Sequence, residues 1–310
     1  MSAPRVSVVI PVLNAERHLP ELLPLLLAQR PRPPDEIVLV DSMSTDRTRE
    51  IGLSFPGVAV VPIPNFSHGR GRNLGVRTAT GDVVVLLTQD ARPADEHWLE
   101  RLLAPLAEPE VAAAYSRQVP YPGASPMERF FLLTRFPPGP PVRRRRQGHA
   151  PLGLEDVFFS NVSAAVKRGL LLRHPFDESL IMSEDQQLSR DLLLAGHTVV
   201  YQPESVVVHS HRYSLATCFR RYFDSVYSLT VLFPAHGVGT SASMGLRYLG
   251  REAAYVARRA PHWLPYYALY TAAKTLGTIA GHFAERMPPW LLRRLSLHRY
   301  HWQPPPAFSP

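Results

Sequence analysis

Cysteine and long apolar runs are scarce in this 310-residue sequence. Its one cysteine, Cys218, cannot form an internal bridge, which excludes a disulfide scaffold and favours a reducing compartment. No window reaches the roughly 18 uncharged apolar residues of a transmembrane helix, since the best candidate, Trp263 to Phe283, contains Lys274. The start has neither the apolar stretch nor the cleavage site of a secretory signal. These absences predict a cytoplasmic protein that contacts at most a membrane surface.

Most of the chain has no excess of basic over acidic residues. Residues 212–310 hold twelve Lys and Arg against three acids, a net charge of +9, whereas residues 1–211 hold 22 bases and 23 acids. A nucleic acid is not the expected partner, because the chain has no helix-turn-helix, zinc-finger or RNP-type signature. The arginines alternate with aromatic residues such as Trp263, Tyr266, Tyr267, Tyr270 and Trp290. This pattern predicts contact with an anionic membrane face, and packing of the same aromatics inside the protein is the alternative.

Short apolar runs and helical spacings alternate along the first two thirds of the chain. The runs predict strands at Val6–Ile10, Ile37–Val40, 58–63, Asp82–Leu87, Ser160–Val166, Val199–Tyr201 and Val206–Val208. The helical spacings predict helices around Leu19–Leu27 and at 46–54, Gly69–Ala79, Trp98–Leu106 and Glu184–Leu194. Pro137–Pro151 and Gln303–Pro310 are predicted loops, and 212–300 is predicted to be helical. The fold class is therefore α/β, an open and mostly parallel sheet with a helical C-terminal extension.

Polar residues follow three of these strands, at the edge where an open parallel sheet binds ligands. They are Asn14, Asp41, and the pair Gln89 and Asp90. The first turn, Pro11-Val12-Leu13-Asn14, contains no glycine. A dinucleotide-binding enzyme needs a glycine-rich turn at that place, so the sequence disfavours one.

Five ordered blocks resemble the family 2 glycosyltransferases, which have the GT-A fold. The blocks are VSVVIPVLN, EIVLVDSMSTDRT, HGRGRNLGV, GDVVVLLTQDARPADEHWLE and MSEDQQLSRDLLLAGH, and together they cover roughly residues 5–211. FSHGRGRNLG followed by LLTQDA resembles the rhamnosyltransferase branch. The resemblance implies a GT-A domain over residues 1–211, with a nucleotide-binding half to about 115 and an acceptor half from about 116. Residues 212–310 form the extension.

The resemblance implies that Pro11, Asn14, Asp41, Arg72 and Gln89 bind the nucleotide sugar. The carboxylate of Asp41 can accept the imide N–H of uracil or thymine, and a helix N-cap is its alternative role. Arg72 lies near the start of a predicted helix, where arginine and the helix N-terminus both suit a diphosphate. A simple turn is the alternative for Pro11 and Asn14.

The family's Asp-x-Asp metal motif falls on Thr88-Gln89-Asp90, where a threonine replaces the first acid. Mg²⁺ or Mn²⁺ bridging the diphosphate would then depend on Asp90, water and phosphate oxygens. In several relatives a histidine after the last strand completes the metal site. His209 is the preferred candidate here, and His211, on the same face by alternation, is the second.

Glu184 and Asp185 open a predicted helix, where acids are commonly surface residues favoured by the helix dipole. The resemblance implies instead that Asp185 is the general base and that Glu184 is its support or substitute. A base needs hydrogen-bond reach to the acceptor hydroxyl, and one carboxylate suffices for a direct inverting displacement.

The sequence therefore predicts an inverting glycosyltransferase that moves L-rhamnose from dTDP-L-rhamnose to a hydroxyl of a glycan or lipid-linked acceptor. The expected location is the cytoplasm or the inner face of the cell membrane. The nearest alternative is the same reaction with a UDP- or GDP-linked hexose. A sugar-nucleotide nucleotidyltransferase would need a glycine-rich basic phosphate loop near the start, and the sequence has none there. A non-catalytic membrane scaffold is the alternative from another class, and Glu184 and Asp185 argue against it.

Overall fold

The computed structural model describes residues 3–233 and 238–303. Its strands are β1 (Val6–Val12), β2 (Glu36–Asp41), β3 (Val58–Pro62), β4 (Val83–Leu87), β5 (Arg92–Pro93), β6 (Val111–Val119), β7 (Val142–Arg145), β8 (Ser163–Lys167) and β9 (Thr198–Val208). Its α-helices are α1 (Leu19–Leu27), α2 (Thr48–Leu53), α3 (His68–Thr78), α4 (Trp98–Leu103), α5 (Pro126–Arg135), α6 (Arg168–Arg173), α7 (Glu184–Leu194), α8 (Leu215–Leu232), α9 (Val238–Arg259), α10 (Leu264–His282) and α11 (Pro289–Leu295). The predicted loop Gln303–Pro310 lies, apart from Gln303, outside the described residues.

All these strands join one mixed sheet in the order β3-β2-β1-β4-β8-β6-β9-β5, with β7 also paired to β9. Strands β1 to β4 are parallel to one another. Strand β8 is antiparallel to both β4 and β6, while β6 and β9 are parallel. The predicted α/β class and the parallel first half are confirmed, and the carboxyl ends of β1, β2 and β4 meet at one edge.

The parallel strands are buried on both faces because their residues are almost all Val, Ile and Leu. Helix α1 covers one face with Leu19, Leu22, Leu23 and Leu26, all fully buried. Helix α3 lies so close to β1 that a Cβ at Gly75 would be 2.2 Å from a Val9 methyl. Glycine at position 75 thus lets the polar helix that carries Arg72 approach the sheet.

Several predicted boundaries were wrong. Strand β1 continues through Pro11 to Val12, which costs no bond to β4 because that pairing ends at Val9. Helix α2 begins at Thr48 and not at 46, and the Thr48 N–H donates to the Asp46 carboxylate at 3.0 Å. The two predicted late strands form the single strand β9, and β8 begins only at Ser163.

The predicted loop Pro137–Pro151 contains strand β7, which is a further correction. At the sheet edge Arg143 and Arg145 are exposed and Arg144 is half-buried; Arg144 donates to the Tyr115 hydroxyl at 2.7 Å and Arg143 pairs with Glu108 at 2.6 Å. A run of arginines has no apolar alternation, so the pattern that identifies a half-buried strand was missing.

The described residues belong to two compact units. The first, here called the sheet unit, comprises Met1–Pro122, Leu132–Ser179 and Glu184–Ser210, and the second, here called the helical unit, comprises Gly123–Phe131, Leu180–Ser183 and His211–Pro310. In the helical unit α8 and α10 pack closely, since a Cβ at Gly277 would be 2.4 Å from the Phe219 carbonyl oxygen. No helix in the described ranges is long and apolar enough to cross a lipid bilayer.

Candidate active site

Asp41, the last residue of β2, is nearly buried and lies opposite Val12 at the end of β1. Its Oδ1 accepts the N–H of Ser44 at 3.0 Å, which closes the turn after β2. This bond fixes the carboxylate at the ligand-binding edge of the sheet. Binding of a base by Asp41 stays a prediction.

Asn14 has a left-handed backbone, with φ of 49°. Its N–H donates to the Ser44 hydroxyl at 2.9 Å, and its Oδ1 accepts the N–H of Thr45 at 2.9 Å. Asn14 therefore joins the turn after β1 to the turn after β2. Pro11 lies within β1 opposite Val40, and nucleotide binding by either residue is untested.

Gln89 uses both ends of its side-chain amide on one residue of the neighbouring turn. Its Oε1 accepts the N–H of Leu13 at 2.8 Å, and its Nε2 donates to the Leu13 carbonyl at 3.2 Å. The amide thus fastens the turn after β4 to the turn after β1. Nucleotide binding by Gln89 would add to this positioning role.

Arg72 on α3 and Glu184 at the start of α7 form a buried ion pair, 3.0 Å from Nη1 to Oε1, with side chains 7% and 8% exposed. The Arg72 Nη1 also donates to the His68 carbonyl at 3.1 Å. Asn161 donates to Glu184 Oε1 at 3.4 Å. Two buried atoms of this cluster, Arg72 Nε and Asn161 Oδ1, have no hydrogen-bond partner among the described residues. Such groups are rare in native proteins and indicate a place where a ligand or water completes the site.

The pKa values of the two adjacent carboxyl groups at the start of α7 are shifted in opposite directions. Burial works against ionisation of Glu184, but the charges of Arg72 and His68 together with hydrogen bonds outweigh it and hold the pKa of Glu184 below its usual value. Burial and the charge of Glu184 together raise the pKa of Asp185 to about 7. Asp185 is half-buried and so remains accessible. An ionised partner beside a carboxyl group with a pKa near neutrality is the arrangement of a general base.

Asp90 and His209 also come together, with Nε2 of His209 3.6 Å from Oδ1 of Asp90. His209 is buried, and its Nδ1 lies 2.9 Å from Gln118 Oε1. Because an amide oxygen only accepts, Nδ1 carries the proton and the Nε2 lone pair faces Asp90. Gln118 is oriented in turn by donating to Ser160 at 2.9 Å. A carboxylate oxygen and an oriented imidazole nitrogen can ligate a divalent cation, and the mixed donor set fits Mn²⁺ at least as well as Mg²⁺.

The segment before β8 links the two pairs. Ser160 bonds Gln118 on the side of His209, and Asn161 bonds Glu184 on the side of the base. The N–H of Thr88 donates to the Val162 carbonyl at 3.1 Å, which places the turn carrying Asp90 beside the same segment. Sequence reasoning missed Gln118, Ser160 and Asn161, whose only signal was polar residues beside apolar strands.

Two solved structures superpose on this fold. The mannosyltransferase PcManGT from Pyrobaculum calidifontis, in complex with GDP-Man and Mn²⁺, superposes with a TM-score of 0.63 at 21% identity, over 92% of this chain and 88% of that one. TarS 1–349 of S. aureus in complex with UDP superposes with a TM-score of 0.51 at 16% identity, over 91% of this chain and 92% of that one. The architecture is therefore the GT-A fold.

The sequence comparisons narrow this class. The model of glycosyl transferase family 2 matches residues 7–171, and the chain belongs to that family. The O-antigen chain rhamnosyltransferase RfbN of Salmonella typhimurium is 30% identical over 303 residues, 96% of each chain. WbaN of Salmonella anatum, another O-antigen chain rhamnosyltransferase, is 31% identical over 274 residues, 87% of this chain and 86% of its own length. The predicted resemblance is confirmed, and the protein is a glycosyltransferase.

Proposed function

We propose that this glycosyltransferase inverts the sugar it moves and that it transfers L-rhamnose from dTDP-L-rhamnose to a hydroxyl group of a glycan or lipid-linked acceptor. The observation that carries the reaction type is Asp185, an accessible carboxyl group with its pKa raised to about 7, beside the buried Arg72–Glu184 pair. The similarity to two rhamnosyltransferases supports the donor sugar.

Asp185 takes the proton of the acceptor hydroxyl while the hydroxyl oxygen bonds to the anomeric carbon. In the same displacement the bond from that carbon to the diphosphate oxygen breaks, so dTDP leaves and the configuration inverts. A pKa near the working pH leaves a useful fraction of Asp185 ionised and still makes it basic enough to accept a proton. Glu184 keeps Arg72 in place and maintains the raised pKa of Asp185.

Asp41 and Arg72 seat the nucleotide. The Asp41 carboxylate, fixed by Ser44, accepts the imide N–H of thymine. The unpartnered Nε of Arg72 donates to a diphosphate oxygen, where a charge-assisted bond is stronger than a neutral one. Pro11, Asn14 and Gln89 shape the turns around the nucleotide.

Asp90 and His209 would hold a Mg²⁺ or Mn²⁺ ion. When bound, such an ion neutralises charge that develops on the leaving diphosphate. Manganese binding measured by calorimetry in the presence of dTDP should weaken at least tenfold in His209→Ala. Unchanged binding there, with loss in His211→Ala, would assign the ligand role to the other predicted histidine.

Calorimetry with dTDP-, UDP- and GDP-sugars tests the donor, and mass spectrometry of the nucleotide product tests transfer. We expect dTDP-L-rhamnose to bind at least tenfold more tightly than the others and dTDP to be the product. A preference for a UDP- or GDP-hexose would overturn the proposed donor and leave the proposed reaction type in place. Absence of binding by every nucleotide sugar would favour the non-catalytic scaffold.

We also propose that the helical unit rests on an anionic membrane face, the inner face of the cell membrane. The predicted aromatic contacts are not exposed as a set, since Tyr267 is buried with Trp263, Tyr266 and Tyr270 packed around it. The exposed apolar surface lies instead along α10, whose outward face carries Leu269, Leu276, Ile279 and then Phe283, each about half exposed. These positions repeat at helical spacing opposite Tyr267, Lys274, Gly277 and Gly281, which face inward.

Charge favours an anionic occupant for this α10 face. The exposed Arg286 lies over the Phe283 ring at 5.5 Å, and Arg293 and Arg294 are exposed on α11 beside Trp290, itself 61% exposed. Each base near an anionic lipid surface contributes about 1 kcal/mol.

Flotation with phosphatidylglycerol vesicles at low and high salt tests this location. We expect Leu276→Asp to reduce the floating fraction severalfold, while Leu53→Asp leaves it unchanged; Leu53, in the sheet unit, is 56% exposed and Leu276 is 58% exposed. A wild-type protein that stays at the bottom at both salt concentrations has no membrane face.

A further inference from the structure

The helical unit contains a cavity of about 450 Å³, a volume typical of small-molecule pockets. Three stretches form its wall: the start of α5, the segment between β9 and α8, and the start of α10. All of the lining residues belong to the helical unit. The proposed reaction uses none of them except His211, the second candidate metal ligand.

Several of the lining residues are aromatic. The rings of Trp263 and Tyr266 meet edge to face, with centroids 5.6 Å apart. The Tyr266 hydroxyl donates to the Tyr213 carbonyl at 3.4 Å, and the Arg221 guanidinium lies 5.2 Å from the Tyr213 ring. These contacts fix the rings as flat apolar surfaces with polar rims, a type of surface that fits the C–H face of a pyranose ring.

Other lining residues are polar. The Glu128 side chain is 9% exposed, and one of its oxygens accepts the main-chain N–H of His211 at 3.2 Å. Arg212 and His262 add hydrogen-bonding groups to the wall. A buried carboxyl group disfavours phosphates and instead provides a partner for ligand hydroxyl groups.

We propose that this cavity binds a sugar residue of the acceptor glycan. The inference rests on the proposed glycosyl transfer and assigns its acceptor to a defined place in the helical unit. Chain connectivity supports it, because the wall residue His211 follows His209 by two positions. Two residues span at most about 7 Å of extended chain, so the backbone of the wall residue His211 lies within that distance of the backbone of His209.

Saturation-transfer NMR on the full chain, without nucleotide, tests the cavity. The probes are the methyl glycosides of L-rhamnose, D-mannose and D-galactose. We expect at least one of them to bind, and its affinity to fall at least tenfold in Trp263→Leu and in Glu128→Gln. Tyr266→Phe, which keeps the ring, should cost about threefold or less. Leu246→Ala, a change at an exposed leucine of the same unit outside the cavity, is the control and should bind like wild type.

Thermal melting first establishes that each variant is folded, and Glu128→Gln and Tyr266→Phe are isosteric enough to serve if Trp263→Leu unfolds. Absence of binding by all three glycosides overturns the proposal, and so does equal binding by wild type and Glu128→Gln. Calorimetry with dTDP separates this failure from failure of the donor assignment. If glycosides bind and dTDP does not, only the donor assignment is overturned. If dTDP binds and no glycoside does, only the proposal that the cavity binds a sugar is overturned.

Discussion

Each of the two units buries a cation–carboxylate pair, and the surroundings of the two pairs differ. In the helical unit Lys274 lies 3.1 Å from Glu252, under the rings of Tyr222 and Tyr248, and the Tyr267 hydroxyl approaches the same Glu252 oxygen at 3.4 Å. In the sheet unit the Arg72–Glu184 pair has an equally short contact, but Arg72 Nε has no partner among the described residues.

The neighbours explain the difference. The lysine pair is enclosed by aromatic rings and a hydroxyl, as expected of a pair whose role is structural. The arginine pair is adjacent to Asp185, a carboxyl group with a pKa raised to about 7, and to the half-satisfied Asn161. An incomplete buried pair beside a perturbed carboxyl group is typical of a reactive site. The comparison therefore predicts that changes at the Arg72–Glu184 pair lower activity and that changes at the Lys274–Glu252 pair lower stability.

The largest effect is expected for Asp185→Asn. Turnover should fall about 10²- to 10⁴-fold, because the proton acceptor is lost while the shape is kept. The same change should raise the melting temperature above pH 7. The folded pKa of Asp185 exceeds its ordinary 3.8, so the wild-type protein loses stability as pH rises from about 4 to about 7. Retention of more than about a tenth of turnover, roughly 1.4 kcal/mol of barrier, would reject the base assignment.

Lys274→Met should lower the free energy of unfolding by about 3–5 kcal/mol, since it leaves Glu252 buried and uncompensated. Affinity for dTDP should not change. The double change Lys274→Met with Glu252→Leu removes the stranded charge and should recover most of the loss. Urea denaturation measures both variants, and a single variant as stable as wild type would show that the pair is not structural.

Glu184→Gln should move the acidic limb of the pH–rate profile to lower pH. The neighbouring negative charge that raises the pKa of Asp185 is removed, and the positive charge of Arg72 then acts on Asp185 without compensation. Turnover of the glycosyl transfer between pH 5 and 9 measures the shift. Glu108→Gln, which breaks the surface pair with Arg143, is the matched control. Identical limbs in the two variants would show that Glu184 does not tune the base.

The smallest effect is expected at the nucleotide. Asp41→Ala should weaken dTDP binding by about 1–3 kcal/mol, the cost of leaving a hydrogen-bonding partner unpaired. Asp82→Ala, at the amino end of β4 away from the ligand edge, should leave the affinity unchanged. Calorimetry compares the two, and equal affinities would remove Asp41 from the nucleotide site.

The sequence predicted those helices and strands whose pattern of residues is complete within a short stretch of chain. Helix α7 spans Glu184–Leu194 as predicted, because two acids begin it and leucines repeat along it. Strand β6 was missed because its Ala112-Ala113-Ala114 run favours helix in isolation, and only its position between β8 and β9 makes it a strand.

Site residues were predictable one at a time, and their partnerships were not. Arg72 and Glu184 are more than a hundred positions apart, and only the sheet topology brings them into contact. Gln118 orients His209 because β6 and β9 lie side by side in parallel. Partnerships of this kind depend on register between distant strands, which no local window contains.

Strand β7 adds a consequence for behaviour at high concentration. It lies at the edge of the sheet beyond β9, where unpaired main-chain groups could template another strand. A second copy adding there would bring Arg143, Arg144 and Arg145 against their own counterparts, and this like-charge repulsion opposes edge-to-edge aggregation. The arginine run that concealed the strand in the sequence is thus also its protection against fibre formation.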